Sequence, residues 1–154
     1  MARITDIYLV DVPAENALIV NGKVSVPDIP GFIGDAFITL EEYIKDQGMI
    51  QSDTPFLQIT GNDPNSFEIM AGITVSKEVK GSGEIRNYCI PAGKRIFSYW
   101  LGDNSEMPPL YDEMAVFAKE LGYETAEGCF EYYLNSPDYG LDKLLTKVVM
   151  LLLD

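Results

Sequence analysis

At 154 residues, 47% hydrophobic and 23% charged, the chain has the make-up of one globular domain with a real core. Its net charge of -13, from 24 acids against 11 bases with no Lys/Arg cluster, opposes contact with a phosphate backbone, so direct nucleic-acid binding is not expected. Histidine is absent, which rules out a Ser-His-Asp or Cys-His nucleophile, a histidine-bound zinc and imidazole acid–base catalysis, and leaves carboxylates, tyrosines and lysines for any chemistry.

The N-terminus MARITDIYLV lacks the apolar core of a signal peptide, and no apolar run approaches the ~20 residues a bilayer demands, so a cytoplasmic protein is expected. IYLVDVPAENALIV, residues 7 to 20, reads as a strand-like segment. A Pro/Gly-bounded helix follows from about Gly31 to Gly48, with Ile33, Phe37, Leu40 and Ile44 on one stripe, and then two strands, PFLQIT and FEIMAGITV. GSG at 81 to 83 leads into another strand and not a helix, so it is no phosphate loop. EIRNYCIPAGKRIFSYWL, residues 84 to 101, leads to a second helix from about Pro108 to Gly122, striped by Leu110, Met114, Phe117 and Leu121. CFEYYL and LLTKVVMLLL close the chain as strands.

Several features carry no chemistry. Cys89 and Cys129 are not in CxxC spacing and read as small hydrophobes. Glu41-Glu42 and Asp112-Glu113 follow helix starts and read as solvated faces. Asn135, Asp138 and Asp142 lack calcium-loop spacing, and no metal or cofactor is expected.

The chain contains itself twice. Residues 43–48 fall on 117–122, and residues 55–60 on 129–134, at one offset of 74, while Pro13-Ala14 and Pro91-Ala92 occupy equivalent places. The expected fold is α+β: a single domain over 1–154 made of two tandem βαββ repeats, about 1–76 and 84–154, related by a pseudo-two-fold axis. Helices would cover one face of each antiparallel sheet, leaving a ligand groove between the repeats. In this alignment Glu131 takes the place of Leu57, so the charge is peculiar to the second half. Period-2 alternation places Phe130, Tyr132 and Leu134 on one face, assigned to the helix-covered core, and Glu131 and Tyr133 on the other, assigned to the groove.

The duplicated βαββ layout, the PAGKRIFSYW segment, the FEYYLNSP strand and the closing LLTKVVMLLL resemble the gyrase-inhibitor-like (GyrI-like) effector-binding family over about Ile4 to Leu153. That family includes stand-alone proteins and the ligand-sensing domains of multidrug-responsive transcription activators. The resemblance implies that Glu131, in the short strand before an N-x-P-like turn, lies at the base of a cleft for cationic, hydrophobic ligands. The chain starts at its first strand, which leaves no room for a helix-turn-helix and points to a sensor without an effector arm. Candidate cleft walls are Tyr133, Tyr99, Trp100 and Tyr8; at most one of Tyr99 and Trp100 can face the groove, and Tyr99 is preferred, with Trp100 read as core.

Three functions follow from this resemblance and site. The first is a binder that sequesters or senses amphipathic, cationic compounds. The second is a hydrolase of cyclopropane-bearing DNA-alkylating compounds, with Glu131 as general base. The third is a gyrase-inhibitor-type protein interaction through an acidic surface. A monomer and a dimer are both compatible with the sequence.

Overall fold

The computed structural model describes residues 2–61, 63 and 65–153. Among them lie strands β1 (Ala2–Arg3), β2 (Tyr8–Val12) and β3 (Glu15–Val24), helix α1 (Ile29–Asp46), strands β4 (Phe56–Thr60), β5 (Phe67–Thr74), β6 (Arg86–Ile90) and β7 (Gly93–Leu101), helix α2 (Pro108–Glu120), and strands β8 (Glu124–Thr125), β9 (Phe130–Tyr133) and β10 (Leu145–Leu153). The strand pairings are antiparallel and the fold is α+β, as the sequence implies. No helix among the described residues is long and apolar enough to cross a membrane.

The two long strand-like segments are each broken in two, at Pro13-Ala14 and at Pro91-Ala92. Proline has no N–H to give a ladder, so the chain can change partners there. It does so at both places. Two compact units result, Met1–Pro13 with Ala92–Asp154 (the first unit) and Ala14–Pro91 (the second). These divide the chain differently from the sequence halves 1–76 and 84–154, because β2 pairs with β7 and β6 pairs with β3.

In the second unit the ladders run β6-β3-β5-β4, and α1 packs on β3 and β5. In the first they run β2-β7-β10-β9, with α2 packed on β7. Each sheet therefore has the same order of strands. Ala36, Leu40 and Ile44 are the buried residues of α1, and Leu110, Met114 and Ala118 those of α2. The small Ala118 takes the inner position the sequence reading gave to Phe117 and Leu121; Phe117 is half-buried and Leu121 is 44% exposed. Both helices stop at a glycine in the left-handed region, Gly48 (φ 65) and Gly122 (φ 87), one offset of 74 apart.

Close packing in the second unit leaves no room for a side chain at several glycines, Gly72 among them. Gly72 stands in register with Ile19 and Phe56, and the buried Phe56 ring folds over it. A β-carbon there would collide with both side chains. We expect Gly72→Ala to lower stability by about 1–3 kcal/mol in urea unfolding, whereas Gly34→Ala, on α1 with open space around it, should raise it by up to about 1 kcal/mol. Equal stability of Gly72→Ala and wild type would contradict this packing.

Candidate functional site

The ladder register fixes the surroundings of Glu131. Glu131 stands opposite Val148, which stands opposite Ser98. Val148 belongs to the core that Ile96, Trp100, Met150 and Leu152 form with Met107, just before α2, and with Leu110, Met114 and Ala118 of α2. Residues opposite one another in an antiparallel ladder share a face, so Glu131 points to the side covered by α2. There it is 9% exposed. Tyr111 on α2 donates its hydroxyl to Oε2 at 2.6 Å, and Tyr133, two residues along β9 on the same face, donates to Oε1 at 3.1 Å. Each carboxylate oxygen thus has one phenol.

Burial raises the pKa of Glu131, because taking a carboxylate out of water disfavours its charge; the two phenol hydrogen bonds act against this and only partly offset it. Both tyrosines are pushed far above their ordinary range, first by burial and then by the neighbouring carboxylate. Cys129 is pushed up to about 12 for the same two reasons, so its thiol stays protonated and unreactive. Among the described residues no ion pair reaches Glu131, and no cluster of acids and cysteines could hold a metal. The arrangement is a desolvated carboxylate with two neutral donors and no counter-charge. It can take up a proton, bind a cation, or accept a proton from a water.

The expected site is partly brought together. Glu131 and Tyr133 share a face, but it is the helix-covered one; Phe130 and Tyr132 lie on the other. Alternation shows which residues share a face, not which face a helix covers, and Phe130, Glu131 and Tyr132 are all buried. Trp100 is on the Glu131 side, in the row Trp100–Thr146–Tyr133, about 10 Å from Tyr133 across two strand spacings. It is a core residue whose Nε1 donates to the Asp103 carbonyl at 3.2 Å. Tyr99 and Tyr8 lie on the opposite face, stacked about Phe97. Trp100 is thus core, as the sequence reading has it, and what is corrected is the placing of Tyr99 and Tyr8 as walls beside Glu131, since they face the other side of the sheet. Tyr111 was missed. Its signal was present in the sequence: it follows Leu110 and precedes Met114 by three, at the edge of the α2 stripe.

A raised carboxyl pKa makes folding proton-linked. The unfolded side chain titrates near ~4.3, so this contribution to stability is complete below that pH and is lost as pH rises through the higher folded value. Glu131→Gln, the shape of the protonated form, should therefore be the more stable protein at pH 8, with the gap shrinking toward pH 5. Urea unfolding of both proteins across that range measures it. A gap independent of pH would contradict the raised pKa.

The GyrI-like small molecule binding domain profile matches residues 5–152. No curated protein sequence matches the chain. Among solved structures, the C-terminal domain of EcmrR superposes with a TM-score of 0.81 at 14% identity, over 98% of this chain and 99% of that domain. EcmrR in a DNA complex gives 0.80 at 15% identity, over 96% of this chain, which spans only 57% of that longer one. A hydrolase from Listeria innocua gives 0.72 at 14% identity, covering 99% and 94% of the two chains. SAV2435 bound to tetraphenylphosphonium gives 0.65 at 13%, covering 97% and 94%. At such identities the structures speak for the fold, whereas the profile spans nearly the whole sequence: the chain belongs to the GyrI-like family of small-molecule binding domains.

Proposed function

We propose that the protein binds amphipathic, delocalised organic cations at Glu131, and that it serves to sequester or sense them. The observation that carries this reading is a carboxylate 9% exposed, held by Tyr111 and Tyr133 with no basic partner among the described residues. A weakly hydrated cation supplies the missing charge at little desolvation cost of its own, and tyrosine rings add apolar area and cation–π attraction. The SAV2435 structure with a lipophilic cation supports the ligand class. Because Glu131 is buried with one phenol on each oxygen, a ligand that reaches it must displace Tyr111 or Tyr133, and in the first case occupancy is coupled to the position of α2.

Tetraphenylphosphonium binding, read by quenching of the single tryptophan, tests this. Glu131→Gln should cost about 2–5 kcal/mol of affinity while leaving the neutral triphenylphosphine oxide unaffected. Wild-type affinity should rise with pH through the raised Glu131 pKa, since the cation binds the ionised form. Equal losses for charged and neutral compounds would mean that the variant only damages the pocket, and no loss for either would remove Glu131 from the site.

Hydrolysis is the second reading, favoured by the raised carboxyl pKa and two phenol donors beside it. Glu131 would take a proton from water, whose oxygen bonds to a cyclopropane carbon. The ring C–C bond breaks, and its electron pair passes to a conjugated carbonyl oxygen that is then protonated. With a spirocyclopropane dienone, multiple turnovers should appear, rising with pH as Glu131 ionises and absent in Glu131→Gln. Recovery of unchanged compound would reject this reading and leave the binder.

A further inference from the structure

The face of the first unit's sheet turned away from α2 has its own character. Register places Tyr8, Phe97, Tyr99, Phe130, Tyr132 and Lys147 on it. The remaining residues that β2, β7, β10 and β9 turn to that side are apolar, except for Arg95. These four strands thus turn the half-buried Lys147, the buried Arg95 and no acid to that side, in a chain with 24 acids against 11 bases. The acid nearest in register is Glu124 on β8, opposite Leu153. It lies six residues along β10 from Lys147, about 20 Å at strand rise.

The aromatic rings form a ladder. Tyr8 and Phe97 are 5.4 Å apart between centroids, tilted by 38°, and Phe97 and Tyr99 are 6.0 Å apart, edge to face. The Lys147 ammonium sits 4.6 Å from the Phe97 centroid and 6.0 Å from that of Tyr132. Among the described residues it pairs with no carboxylate, whereas Arg3, Lys23 and Lys94 each have one, at 2.9, 3.5 and 3.6 Å. Tyr8 is 45% exposed, and Phe97, Tyr99 and Lys147 are half-buried, so ring surface and ammonium are both within reach of solvent. An ammonium resting on rings keeps its charge available for an anion, while the same charge repels a cation.

We propose that this face is a second binding site, opposite in charge preference to Glu131, for a flat aromatic carboxylate. The ligand's ring packs on the Tyr8–Phe97–Tyr99 ladder, and its carboxylate takes the Lys147 ammonium in a charge-assisted hydrogen bond. Neutral flat compounds gain the ring contact alone.

Calorimetric titration with 2-naphthoate and with its neutral carboxamide tests the assignment. Wild type should bind the carboxylate at least about tenfold more tightly than the amide, the equivalent of one charge-assisted hydrogen bond. Lys147→Met, which keeps the apolar stem, should erase that preference, and Lys147→Arg should retain it. Tyr99→Leu should weaken both compounds, while Glu131→Gln should change neither. The proposal is overturned if wild type fails to bind the carboxylate, or if it does not prefer it to the amide. It is also overturned if the preference survives in Lys147→Met, or if it is lost in Glu131→Gln instead. A concentration-dependent dimer that dissociates in Lys147→Met would assign the face to a second copy of the chain and likewise overturn it.

Discussion

A buried carboxylate with no counter-ion among the described residues is the constraint around which the first unit is arranged. Taking Glu131 out of water opposes its charge, and two neutral phenols recover only part of the loss. One of those phenols is on α2, the other on β9. The helix that covers the sheet is thereby tied to the ionisation state beneath it. Whatever neutralises or displaces the carboxylate acts on the Tyr111 contact and so on how α2 packs. The raised pKa of Glu131 holds stability below its optimum at neutral pH, and in the proposed reading a bound cation restores it.

The second unit shows what the same layer does when no charge is placed in it. There Leu57, Ala71 and Val20 stand in one row across β4, β5 and β3, all buried and all apolar. The row at the corresponding ladder positions of the first unit is Glu131, Val148 and Ser98. Ser98 is fully buried and shares a 3.0 Å hydrogen bond with the Thr5 hydroxyl, so its polarity is answered within the protein. Of that row, Glu131 keeps an ionic demand that no basic side chain among the described residues meets. Two units with one strand order thus differ: the second keeps an oily layer under its helix, and the first places a carboxylate and a serine in the same layer.

Much of this was legible in the sequence, because the signals were local or repeated. Helix stripes, terminal glycines and the offset of 74 located both helices and strands β4, β5, β9 and β10 within a few residues. The replacement of Leu57 by Glu131 singled out the carboxylate. What escaped was nonlocal. Pro13 and Pro91 read as shared landmarks, but that the chain changes pairing partner there depends on ladders between distant segments. The direction of Glu131 was misread because its neighbours on β9 are buried as well, leaving no wet side to orient the strand. Tyr111 escaped because a tyrosine beside an apolar stripe is ordinarily a packing residue, and only its 2.6 Å approach to Glu131 gives it another role.

The central claim is that Glu131 is a desolvated charge awaiting a cation, and the direct measure is its own titration. Carbon-13 NMR of the glutamate side-chain carboxyls, assigned by comparison with Glu131→Gln, follows that single group with and without tetraphenylphosphonium. The account requires a pKa above the ordinary carboxyl range in the free protein and a marked fall when the cation is bound, since the ligand favours the ionised form. A pKa near ~4.3, unmoved by the ligand, would contradict it.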